Sequence, residues 1–124
     1  MKAFLAVSAV LAWLFGLMLL LGPVQFYAPT GIVMTSLVAT LAQAHGATLV
    51  GLGIINWLAR NADRNGLRAV LSGNLVVQIL SLVVVVITMR LGAGMKVAPA
   101  IGIHVVLGAL NVFFLTRLPG KATG

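Results

Sequence analysis

The sequence predicts an all-α fold: one integral membrane domain of four transmembrane helices in an up-down bundle, with both termini on the cytoplasmic side. Three observations carry this. Of 124 residues, 61% are hydrophobic and only 7% charged, against about 25% charged in soluble domains. The apolar residues fall into runs of about twenty, the length that crosses a bilayer core. The eight Lys and Arg lie between those runs. A chain of this length builds a single core, so residues 1–124 form one domain.

The first helix is predicted over 3–21, closed by the Gly22–Pro23 breaker. Lys2 before an apolar run also fits a secretory leader. The run exceeds a typical leader core, however, and no small-x-small site precedes Pro23, so it is read as a membrane helix. An outer loop, 22–31, places Phe26 and Tyr27 at the membrane interface. The second helix is predicted over 32–59, longer than a bilayer needs, so it tilts or starts late. An inner loop follows over 60–68, with its turn at Asn65–Gly66. The third helix is predicted over 69–89, and a Gly-rich outer loop over 90–96. The fourth covers 97–116, with Pro99 tolerated in its first turn. The tail, 117–124, carries Pro119 and Gly120 and is expected to be loose.

Charge sets the direction. Lys2, Arg60, Arg64, Arg68, Arg117 and Lys121 fall on one side, and only Arg90 and Lys96 on the other. The positive-inside rule places the first group in the cytoplasm. The net charge of +7 is therefore a matter of topology and does not form a nucleic-acid patch. Arg60, Arg64 and Arg68 are spaced by four, as on one helical face touching anionic headgroups. The sole acidic residue, Asp63, is placed to pair with Arg60 or Arg64.

Polar residues inside membrane helices are costly unless partnered, so their pattern is informative. Asn74, Gln78, Ser81 and Thr88 form one stripe of the third helix. His104, Gly108 and Asn111 form one on the fourth, and His45, Leu49, Leu52 and Asn56 one on the second. Beside that last stripe run Thr35, Ala39, Ala42, Gly46 and Gly53, small residues suited to close helix approach. Counting from the inner Lys and Arg at about 1.5 Å per residue, His45, His104, Ser81 and Gly16 lie about 20–22 Å deep. Asn56, Asn74 and Asn111 lie about 6–9 Å deep. The expected interior is thus a histidine layer above an asparagine layer.

Three readings of these layers stand open. They are interhelical glue that fixes register. They orient an apolar ligand, a lipid or a quinone, in a cavity. Or His45 and His104 supply both axial nitrogens of a b-type haem, with Gly16, Gly46 and Gly108 lining the macrocycle. Catalytic and metal chemistry find no footing. There is no Cys, two histidines without a carboxylate would under-ligate a metal, and phosphate loops and catalytic triads are missing. Small proton-coupled exporters of this length need a membrane carboxylate, which the first helix lacks.

The stretch GLGIINWLARNADRNGLRAVLSGN, Gly51 to Asn74, resembles a functionally uncharacterised group of small bacterial four-helix membrane proteins. In that group a GLG…WLAR helix end and an RA…GN helix start recur in mid-chain. The resemblance nominates Gly51, Trp57, Arg60 and Asn74 without roles, and implies a multi-pass protein of the bacterial inner membrane. The four-helix layout is also similar to that of scaffold proteins that gather sterol-synthesis enzymes. The expected function is a non-catalytic accessory or scaffold subunit of a larger membrane assembly, with the small-residue stripe of the second helix as its contact patch. Membrane lipids, other membrane proteins or further copies of the chain are the expected partners.

Overall fold

In the computed structural model residues 1–118 are described; residues 119–124 of the expected tail, with Pro119, Gly120 and Lys121, lie outside them. Helix α1 (Lys2–Leu21) ends at Gly22, and Pro23 opens a short helix α2 (Pro23–Tyr27). Proline suits that first position, where its missing N–H would have had no partner. A tight turn over Ala28–Thr30 closes on Gly31 in the left-handed region at φ +75°. Burial raises the pKa of the Tyr27 phenol in this loop and keeps it protonated.

Helix α3 (Ser36–Ala59) starts four residues later than the predicted 32, because Thr35 caps it: its side-chain oxygen accepts the Val38 N–H at 3.3 Å. Helix α4 (Arg64–Thr88) starts five residues earlier than the predicted 69. Asp63 caps it by accepting the Gly66 N–H at 2.8 Å, so Asn65 and Gly66, expected as the turn, form the helix's first turn. The Asp63 carboxylate thus serves the backbone rather than the expected Arg60 or Arg64. Asp63→Ala should cost about 1 kcal/mol, and Asp63→Asn nearly nothing, read as helicity lost against denaturing detergent. Past α4 the chain makes a wide turn over Met89–Ala93 and a tight one over Gly94–Val97. Gly92 at φ +120° and Gly94 at φ +57° let it reverse into helix α5 (Ala98–Thr116).

The helices pack as two pairs. Along α1 and α3 the contact is continuous and antiparallel: Lys2 Nζ donates to Asn61 Oδ1 at one end, and Gln43 Nε2 to the Leu20 carbonyl near the other. Glycines set its closeness. A Cβ on Gly46 would stand 2.6 Å from the Gly16 carbonyl oxygen, and one on Gly53 would strike the Trp13 ring. Of the stripe expected as a contact patch for a partner, Ala42, Gly46 and Gly53 are therefore already buried, while Ala39 is half-buried and Thr35 exposed. The second pair is α4 with α5.

Few contacts cross between the pairs, and the packed ones gather at one end. There Leu5 and Leu71 are fully buried, with Phe4 and Ala59 beside them and Leu107 and Leu115 of α5 against them. Phe4 stacks on Phe114 at 5.0 Å between ring centroids. Lys2, Arg60, Arg64, Arg68 and Arg117 share this end, hereafter the basic end. At the distal end the Ala28–Thr30 turn touches the Gly94–Val97 turn, with Gly31 beside the Lys96 ammonium.

Three helical segments are long and apolar enough to cross a membrane: Lys2–Leu21, Ser36–Ala59, and Arg64–Thr116, which runs through α4, the Gly92 turn and α5. Their outward faces are apolar, as at Leu14, Leu37, Leu58, Val84 and Val106. That surface suits hydrocarbon and exceeds what a soluble monomer exposes.

Candidate functional site: the polar interior

The three asparagines meet the basic-end core from three helices: Asn56 on α3 is 2% exposed, Asn74 on α4 4%, and Asn111 on α5 1%. Asn74 Nδ2 donates to Asn56 Oδ1 at 2.6 Å, and Asn56 Nδ2 donates to the Leu52 carbonyl at 3.0 Å. This hydrogen bond joins the two helix pairs. Asn111 behaves differently: its Nδ2 donates to the Leu107 carbonyl of its own helix at 2.8 Å, while its Oδ1 is buried without a partner among the described residues.

One layer further out, the Gln78 carboxamide oxygen and His104 Nδ1 are 2.7 Å apart, binding α4 to α5. An amide oxygen can only accept, so with this amide orientation the proton is on Nδ1 and Nε2 presents a lone pair. Gly108 faces Gln78 across this contact, and a Cβ there would meet the Gln78 Cβ at an ordinary 3.6 Å. Ser81 is half-buried one turn beyond Gln78.

His45 is exposed. It lies eleven residues before Asn56, three helical turns along the same face of α3. At Asn56 that face meets α4; at His45 it is uncovered. Gly16 and Gly46, expected to line a cofactor, are instead locked against each other's backbones between α1 and α3. Those two glycines therefore open no space for a macrocycle.

At the basic end the Arg60 guanidinium lies 3.3 Å above the Trp57 ring and donates to the Trp57 carbonyl, and Trp57 leans on Trp13. The spacing of Trp57 and Arg60 by three was a legible signal for this stack; the partnership with Trp13 was not. Sequence reasoning also missed a recess between α4 and α5 lined by Arg64, Arg68, Ser72, Leu115, Thr116 and Leu118.

Chemically the interior is one amide pair, one amide–imidazole pair, and Asn111 held to its own helix. Among the described residues no three His, Asp or Glu side chains gather as metal ligands, and the polar atoms face one another rather than a common reacting point. No family model matches the chain, and no curated protein or solved structure is significantly similar to it.

Proposed function

We propose that this chain is a non-catalytic accessory or scaffold subunit of a bacterial inner-membrane assembly, with both termini in the cytoplasm. The up-down bundle crosses the bilayer four times, and its basic end faces the cytoplasm by the positive-inside rule. One observation carries the reading: His45, at mid-length of a membrane helix, has an exposed side chain. Bare to lipid, an imidazole is expensive, and such residues face protein or a polar cavity. A partner helix laid along the α3 face bearing Leu41, His45 and Thr48 relieves that cost. The rest of the polar interior supports the same role, because Asn56 with Asn74 and Gln78 with His104 bind helix to helix instead of presenting a reacting group.

The test is a photo-crosslinking residue at Leu41 or Thr48, flanking His45. Irradiation of intact membranes should give one discrete adduct with another protein or a second copy of the chain. Adducts with lipid alone would overturn the proposal.

A second reading rests on how few contacts join the two helix pairs away from the basic end. The gap between the helix pairs would hold a slender apolar ligand, a quinone or a lipid, with His45 and His104 as orienting groups. A b-type haem is the bulkier version and gains no room from Gly16 or Gly46. Extracts of purified protein should then contain a ligand that a His45→Leu/His104→Leu variant loses, and a Soret band would mark haem. Identical extracts from both proteins would remove this reading.

A further inference from the structure

We propose that the recess between the basic ends of α4 and α5 is a binding site for the phosphate headgroup of an anionic phospholipid. This rests on the membrane placement alone and not on the subunit role.

The recess holds about 320 Å³, room for a phosphodiester but not for a folded partner. Arg64 and Arg68 are one turn apart on α4 and both line it, with Ser72 a further turn along and Thr116 opposite on α5. Arg64 Nε is buried with no hydrogen-bond partner among the described residues. A buried guanidinium N–H of this kind calls for an acceptor, and phosphate oxygens match the guanidinium fork. The position adds a second reason. Both arginines stand in the first turns of α4, where the helix end is already positive. Arg64 and Arg68 outweigh the Asp63 carboxylate, which caps the helix through the Gly66 N–H, so the local field is a net attraction for anions.

The walls decide between a lipid phosphate and a free one. Leu115 and Leu118 make one side apolar, and below Ser72 the outward face of α4 continues through exposed Val76, Ile79 and Val83. A charged head with a hydrocarbon continuation is the shape of a phospholipid, and cytoplasmic leaflets are the anionic ones.

The experiment is native mass spectrometry of the intact chain released from vesicles containing equal phosphatidylglycerol and phosphatidylcholine. Phosphatidylglycerol should be retained preferentially. Arg64→Gln/Arg68→Gln should weaken that preference by about tenfold or more, while Arg90→Gln/Lys96→Gln at the distal end should leave it unchanged. Ser72→Leu, which fills the recess and keeps every charge that sets topology, should weaken it as well. Circular dichroism of each variant separates lost binding from lost fold. Equal retention of both lipids, or full preference in the Arg64/Arg68 and Ser72 variants, would overturn the site. Displacement of the lipid by millimolar inorganic phosphate would overturn the lipid as its occupant in favour of a free phosphate.

Discussion

Replacing Gly46 with leucine is expected to part α1 from α3 and to be the most damaging single change in the chain. A Cβ at Gly46 would stand 2.6 Å from the Gly16 carbonyl oxygen and 2.8 Å from the Leu20 nitrogen. The reverse holds too, with a Cβ at Gly16 standing 2.8 Å from the Gly46 oxygen and 2.9 Å from the Val50 nitrogen. These neighbours are backbone, which no rotamer change can move, so whole helix axes must separate. Separation would also loosen the Gln43–Leu20 bond and withdraw Trp13 from Gly53. The cost should reach about 3 kcal/mol, the upper end of ordinary overpacking. Because the chain has no cysteine of its own, a pair introduced at Leu20 and Gln43 gives a clean reporter. Oxidative cross-linking between them should be efficient in the parent and fall sharply with Gly46→Leu. Gly51→Ala is the control, since nothing lies within 4 Å of a Cβ there; it should leave cross-linking intact. Equal cross-linking in Gly46→Leu and the parent would mean that the glycine contact does not hold the pair together.

The small-residue stripe shows where sequence reasoning ended. Periodicity along α3 correctly grouped Ala42, Gly46 and Gly53 as a surface for close approach. It could not name what approaches, because glycine marks closeness and not identity. The complement, Gly16 with Ala9 and Trp13 on α1, carries no matching signal that distinguishes a neighbour in the same chain from a partner. Helix ends were more legible than they were read. Thr35 and Asp63 are strong cap residues directly ahead of α3 and α4. Asn65–Gly66 is a turn signal only when no cap stands two residues earlier, and here one does. Depth counting brought Asn56, Asn74 and Asn111 to one level because rise per residue is fixed by helix geometry. The pairing of Asn56 with Asn74, and the isolation of Asn111, depend on helix rotation and on tilts of a few degrees. Those are set by packing at Leu5, Leu71 and Phe114, which no one-dimensional pattern encodes.

That pairing carries the second large effect. Asn56→Leu should destabilise the chain, because it strips the Asn74 Nδ2 of the acceptor it reaches at 2.6 Å and leaves a donor inside a closed core. An unsatisfied buried polar group costs about 1–3 kcal/mol, whereas interhelical hydrogen bonds in membranes average only about 0.6 kcal/mol because the separated helices find other partners. The first figure applies here. Asn56 and Asn74 are 2% and 4% exposed, in the one region where all four long helices converge, and neither water nor another side chain can easily replace the lost partner. The Asn56→Leu/Asn74→Leu double variant, with neither orphan left, should therefore be at least as stable as the worse single variant. Asn111→Leu should go the other way, neutral or stabilising by up to about 1 kcal/mol, since it removes a buried Oδ1 that has no partner. Denaturing-detergent titrations of the four variants separate the two cases. Loss in Asn111→Leu as large as in Asn56→Leu would join all three amides in one network and overturn the division into a pair and a bystander. The consequence reaches the proposed function. The Asn56–Asn74 bond ties the helix pairs together, so its loss should widen the gap towards His45 and His104. Crosslinks from Leu41 would then shift from one discrete protein adduct to lipid, even in variants whose helices all remain formed.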